Sequence, residues 1–270
     1  GRPPFGGDCA IAPPGAADGS VVTMSRTLAF NVFSNVASPD SGRCLVPDAV
    51  RSVRTGLRRG AFDRLRIRVF VDPNPHPEAF GAWADRIRTA GDGDDLTLHE
   101  SRGLADGFRQ SLFLSEGSVA LQWEHDFVLL PGRVRHSASE IAEWMERLSI
   151  DHLRLNKRRN RVAGYDHVMR PAGDPAFPVC RTSGRSNNPQ FVDLAYYRER
   201  VAPLIDPDAR KAAGLEGTVC LRLGGGHVYG PLGHPAAVGH LDGRNVSRRD
   251  ALRRLLWRLG RPRAADASPA

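Results

Sequence analysis

Residues 101–130 read SRGLADGFRQSLFLSEGSVALQWEHDFVLL, and this run decides the fold. Leu104, Phe108 and Leu112 recur every four residues within 103–116, the spacing of one helical face. The segment 118–130 that follows is dense in Val, Leu, Trp and Phe, which predicts a buried strand. Inside it stand two acids bracketing a histidine, Glu124-His125-Asp126. Burying carboxylates is costly unless they are paired, hydrogen-bonded or bound to a cation. On a continuous strand residues two apart share a face, so Glu124 and Asp126 would aim at one point while His125 faces away.

Upstream, the same alternation repeats. The segment 25–35 (SRTLAFNVFSN) reads as a buried strand, and 47–59 places Val50, Val53 and Leu57 on one helical face behind Pro47. A second strand, 64–72, ends at Asp72 before the turn PNPHP; a helix over 77–90 and a strand over 95–101 follow. Strand, helix, strand, helix, strand, helix, strand is the pattern of a parallel sheet covered by crossover helices. Ligands of such sheets sit beyond the carboxyl ends of the strands, where the fourth strand brings Glu124 and Asp126.

Downstream the pattern loosens. Residues 137–148 form a helix opened by a Ser137–Glu140 capping box. Residues 161–195 read as loop-rich, including SNNPQF, and 192–204 as helical; 217–223 reads as a strand. The stretch 224–244 (GGGHVYGPLGHPAAVGHLDGR) is too rich in Gly and His to look like packed core. Residues 247–263 set Leu252, Leu255, Leu256 and Leu259 on one face against arginines. The expected organisation is a flexible tail over 1–24, a ligand-binding half over 25–135, an acceptor half with a lid loop over 136–246, and a basic amphipathic helix and tail over 247–270.

Composition narrows the function classes. The 270 residues carry a formal charge of +8, which invites a nucleic-acid reading. Of the 38 basic residues only Lys157 and Lys211 are lysines, and the arginines are spread along the chain. Aromatics make up 7% and are not interleaved with basic residues as a nucleic-acid surface needs. Phosphorylated small ligands account better for the charge. Cys9, Cys44, Cys180 and Cys220 form no CxxC pair, so neither a zinc site nor a disulfide framework is expected. No leader pattern opens the chain and no apolar run reaches bilayer length, giving a cytoplasmic expectation. The 247–263 helix leaves room for peripheral contact with an anionic membrane.

The central segment resembles the core of GT-A-fold glycosyltransferases of the family-2-like type. Ser101 and Gly103 match that family's Asn/Ser-x-Gly loop, and Glu124-His125-Asp126 its Asp-x-Asp-type motif, with Glu for the first Asp and His in the middle. The order of elements extends the resemblance over 25–135. It implies an α/β fold with a mostly parallel central sheet flanked by helices, a single Rossmann-like domain with a loop-rich acceptor half. It also implies a nucleotide-diphosphate sugar donor, a hydroxyl-bearing acceptor (saccharide, lipid-linked or small molecule) and transfer with inversion.

The same resemblance assigns candidate roles. Glu124 and Asp126 would hold Mn²⁺ or Mg²⁺, hard cations that take substrate phosphates as further ligands. His240 would be a third ligand from a late loop; its segment HLDGR also reads as a structural corner. Asp72 would contact the donor base, and Arg102 and Arg244 the diphosphate. Glu216 is the first candidate for the general base, with Asp193 and Asp166 as rivals. Asn187 and Asn188 would meet acceptor hydroxyls or form an ordinary turn. Two other readings stay open: a nucleotidyltransferase of similar fold, whose dense Gly-Arg-Lys loop is missing after the first strand, and a basic nucleic-acid-binding protein without catalysis.

Overall fold

The first strand is apolar on both faces because it lies in the middle of a covered sheet. In the computed structural model, which describes residues 26–34, 40, 44–72, 76–91, 94–164, 166–208 and 218–241, β1 (Thr27–Ser34) runs between β2 (Arg64–Val71) and β4 (Val119–Glu124), parallel to both. β3 (Asp95–Glu100) pairs parallel with β2 at the edge. The crossovers α1 (Val46–Gly56), α2 (Pro77–Ala90) and α3 (Leu104–Leu114) supply the covers. Leu28, Phe30, Val32, Leu121 and Trp123 pack in one core with α1 and α2, while Ala29, Phe33 and Ala120 pack in a second with α3. Alternation along each strand feeds these two layers.

The run expected as one strand over 118–130 is two. Trp123 Nε1 donates to the Phe127 carbonyl at 2.9 Å, folding the chain into a turn at His125-Asp126. β5 (Phe127–Leu129) then leaves the main sheet and pairs antiparallel with β11 (Val238–His240). Glu124 and Asp126 therefore do not share a strand face, because two-residue periodicity stops at the turn.

Beyond α4 (Ala138–Arg147), whose Ser137–Glu140 capping box is present, the sheet continues with reversed strands. β9 (Gln190–Asp193) pairs antiparallel with β4 and with β6 (His152–Arg154); β10 (His227–Tyr229) runs parallel to β6, and the hairpin β7 (Met169–Asp174) and β8 (Phe177–Thr182) closes the edge. The order is β3-β2-β1-β4-β9-β6-β10-β8-β7. The loop-rich reading of 161–195 is thus corrected: Pro171 and Gly173 look like turn residues but stand in β7 at the sheet edge, where a missing N–H is tolerated, and Pro178 stands in β8 between β10 and β7.

Three further expectations change. The strand expected at 217–223 is the short helix α6 (Cys220–Leu223). Leu221 is 88% exposed, so the segment has no sheet neighbour to bury a strand face and closes a backbone bond on itself, Gly224 to Cys220. The Gly-His-rich segment contains packed core after all, for Val228 and Tyr229 are buried. Gly226 makes this possible, since a Cβ there would lie 2.3 Å from the His152 ring. The helical reading of 192–204 matches a continuous series: α5 (Leu194–Tyr196), a π turn (Tyr197–Val201) and a 3₁₀ turn (Ala202–Leu204). The segments 1–24 and 247–270 lie outside the described residues. No described helix is long and apolar enough to cross a membrane, and Cys44, Cys180 and Cys220 are free thiols.

Candidate functional site

Strand direction decides which loops meet. β1, β2, β3 and β4 all end on one edge of the sheet. Because β9 is antiparallel to β4, with Gln122 opposite Gln190, its start lies toward that same edge. β6 runs antiparallel to β9, so the 155–161 loop leaves there too, and β10, parallel to β6, delivers residues 230–241. Both halves of the chain therefore present their loops on the carboxyl edge of β1 and β4, where the strand order reverses.

At the centre of that edge Asp126 meets His240, with Nε2 3.1 Å from Oδ2 and both side chains 13% exposed. The contact is built by backbone pairing. His240 stands opposite Phe127 in the β5–β11 ladder, its ring 4.5 Å from the Phe127 ring, and Leu241 N donates to the Asp126 carbonyl at 2.6 Å. Glu124 ends β4 opposite Phe33, half-buried. His125 turns back over β1, its amide donating to the Phe33 carbonyl at 2.9 Å and Nδ1 3.1 Å from the same oxygen.

Asp72 lies just past β2, its amide bonded to Ser34 and its Oδ1 accepting from the Ser101 hydroxyl at 3.4 Å. Burial holds its carboxyl above the usual range, against the opposing pull of Ser101 and of nearby His125. His125 is thus close to Asp72 rather than facing away from the site. Arg102 is mostly exposed and pairs with Asp208 at 2.9 Å and with Asp106 at 3.7 Å. Its guanidinium is engaged by carboxylates at the edge of the sheet.

The acceptor-side candidates separate. Asp193 pairs opposite Val119, the starting end of β4, and its Oδ1 caps α5 by accepting from Tyr196 N at 2.7 Å. Five residues of strand, roughly 17 Å, separate that end from Glu124. Asp166, the other rival, takes both Nη2 contacts of buried Arg154 at 2.7 Å. Asn188 is buried in a turn held by Ser186, its amide donating to Oγ at 3.3 Å, with half-buried Asn187 beside it. His227 is half-buried at the start of β10, and His234 lies 3.1 Å from the Arg133 carbonyl. Glu216 and Arg244 lie outside the described residues.

The run 153–161 (LRLNKRRNR), the densest in basic residues ahead of the C-terminal segment, reads in the sequence as serving an acidic acceptor or as a solvated surface; the structure divides it into a buried strand end and exposed cations. Arg154 is 2% exposed, whereas Arg158, Arg159 and Arg161 are exposed. Leu153 and Leu155 flanking Arg154 were the available signal of a strand.

Among the described residues no group of three or more His, Cys, Asp or Glu side chains is placed to hold a metal ion. The three-ligand set expected from Glu124, Asp126 and His240 is reduced to the pair Asp126–His240, because the turn after Glu124 breaks the shared face. The pair itself suits a divalent cation. Adjacent ligands on an octahedral ion at about 2.1 Å stand about 3.0 Å apart, and Mg²⁺-type sites complete their shell with water and substrate phosphate. The 3.1 Å separation fits that spacing.

A nine-stranded mixed sheet with its loops gathered on one edge matches the GT-A fold of the solved structures on which it superimposes. No protein-family model and no curated protein matches the sequence. Among solved structures, residues 1–349 of S. aureus TarS superimpose with a TM-score of 0.51 at 11% identity, over 79% of this chain and 60% of that one. GalNAc-T7, with UDP, GalNAc and Mn²⁺, gives 0.57 at 12% identity, over 81% and 44%. The mannosyltransferase PcManGT from Pyrobaculum calidifontis, in complex with GDP-Man and Mn²⁺, gives 0.50 at 15% identity, over 85% and 60%. At these identities the likeness is one of fold, and this chain spans less than two thirds of each of the three.

Proposed function

We propose that this protein is a glycosyltransferase that moves a sugar from a nucleotide-diphosphate donor to an acceptor hydroxyl. The observation that carries this reading is the Asp126–His240 contact at the carboxyl edge of β1 and β4. Asp126 and His240 would hold Mn²⁺ or Mg²⁺, which supplies positive charge against the leaving diphosphate. Asp72, whose carboxyl accepts from Ser101, would meet the nucleoside end of such a donor. Ser101 orients the Asp72 carboxyl, and the apolar core beneath limits water at that end. Glu216 is the candidate base for the acceptor proton, and Asn188 a candidate hydrogen-bonding partner for the acceptor. Inversion of configuration follows if Glu216 takes the acceptor's hydroxyl proton while the acceptor oxygen bonds the sugar's anomeric carbon and the nucleotide diphosphate leaves from the opposite face in a single displacement. The GT-A fold, the UDP and GalNAc named with GalNAc-T7 and the GDP-Man named with PcManGT support the donor class.

The test is a thermal-shift panel of UDP, GDP, ADP, CMP and dTDP with and without Mn²⁺. One nucleotide should stabilise the wild type only when Mn²⁺ is present, and Asp126→Ala and His240→Ala should each abolish that shift. Glu216→Gln should keep the shift and lose sugar transfer by at least a hundredfold. Silence across the whole panel would overturn the reading.

A further inference from the structure

Beside the Asp126–His240 pair the carboxyl edge opens into a cleft of about 250 Å³, lined by Arg154, Lys157, Arg158, Arg161, Ser186 and Asn188, with Asp166 at its wall. Its charge is unbalanced. Asp166 is committed to Arg154, which it meets with both carboxylate oxygens, and to the Thr182 hydroxyl. Among the described residues no carboxylate comes within ion-pair distance of Lys157, Arg158 or Arg161. Arg154 carries a second signal: it is 98% buried, lines the cleft, and its Nε has no hydrogen-bond partner among the described residues. A buried guanidinium with a free donor is costly unless something accepts from it.

The cleft also touches the candidate donor site. Lys157 Nζ stands 5.6 Å over the Phe127 ring, and that ring packs on His240. The Asn156 carbonyl accepts from Ala237 N at 2.8 Å, tying the cleft's floor to the strand that carries His240. A ligand in the cleft would lie beside the metal pair, which is where an acceptor must sit.

We propose that this cleft is the acceptor subsite and that it takes a phosphate-bearing polyol or sugar. Arginines with a fixed donor fork match a phosphate dianion, and three uncompensated cations call for more than one negative charge. Ser186 and Asn188 offer polar atoms to hydroxyls, and the volume suits one sugar-sized group rather than a flat lipid surface. The word acceptor rests on the glycosyltransferase reading; binding of the phosphate ester does not.

The probe is sn-glycerol 3-phosphate, titrated calorimetrically against wild type and the double variant Arg158→Gln/Arg161→Gln, with glycerol as the uncharged control. Both arginines are exposed, so the variant should keep the wild-type Tm. The phosphate ester should bind the wild type, glycerol should not, and the double variant should bind at least tenfold more weakly. Equal binding by both proteins, or none by the wild type, overturns the proposal. Asp126→Ala should leave the affinity within twofold, and pyrophosphate with Mn²⁺ should bind alongside the ester. Competition between the two would make the cleft the donor's own phosphate subsite and overturn the acceptor assignment. Failure of the nucleotide panel with the ester still bound would remove only the donor reading.

Discussion

His152 is completely buried, its Nδ1 2.6 Å from the Tyr197 hydroxyl, and burial followed by the charges of Arg185 and Arg154 keeps it neutral well below the usual histidine range. Burial lowers His227 in the same way. An unfolded chain protonates these rings below about pH 6.5 while the native state does not, so stability present above that pH is lost as pH falls. Each such ring contributes a slope of up to about 1.4 kcal/mol per pH unit. Tm followed from pH 7.5 to 5 should be flat above 6.5 and drop below it, and His152→Asn should reduce the slope whatever it does to Tm. Gly226 gives a second expectation at this scale. Its substitution by Ala forces a methyl against the His152 ring, which should cost about 1–3 kcal/mol as overpacking does, measurable by urea denaturation. Of the single residues, Asp126 and His240 stood out in the sequence because an acidic motif and a histidine-bearing late loop each carry a chemical signature. That they would converge came only from the family resemblance, for the pairing between β5 and β11 that joins them is announced by no local pattern.

At the level of elements, the parallel half was readable because each of its strands and helices buries a periodic face. The reversed half was not, since β6, β10 and β11 are three residues long and β7 carries Pro and Gly. Periodicity needs more than three residues to declare itself. One element-scale feature crosses the boundary: Asn31, Gln122, Gln190 and Arg154 stand opposite one another across β1, β4, β9 and β6, all at most 2% exposed. Asn31 bonds Ser115 at 2.8 Å and Gln122 accepts from Ser111 at 3.1 Å. Gln122 Nε2 and Gln190 Oε1 lack partners among the described residues. Replacing both partners of a poorly satisfied buried pair by apolar groups is near neutral or stabilising. The double variant Gln122→Leu/Gln190→Leu should therefore show a Tm equal to or above that of the wild type in a thermal melt.

Across the whole molecule, the outer half is fastened to the rest by buried charge as well as by the sheet. Asp166 joins Arg154 of β6 to Thr182 at the end of β8. Asp166→Ala would strand a buried guanidinium, and loss of one member of such a pair costs about 3–5 kcal/mol; equilibrium unfolding should show it. The pairing of β5 with β11 has a different consequence, one of timing. β1 to β4 are contiguous in the chain and can assemble as soon as they are made, whereas the strand bearing His240 is synthesised long afterwards and must close a large loop to reach β5. On the ribosome, then, the molecule acquires the parallel strands of its sheet first and the Asp126–His240 contact last. Nascent chains released short of residue 238 would carry the parallel strands without the β5–β11 pairing that brings Asp126 and His240 together.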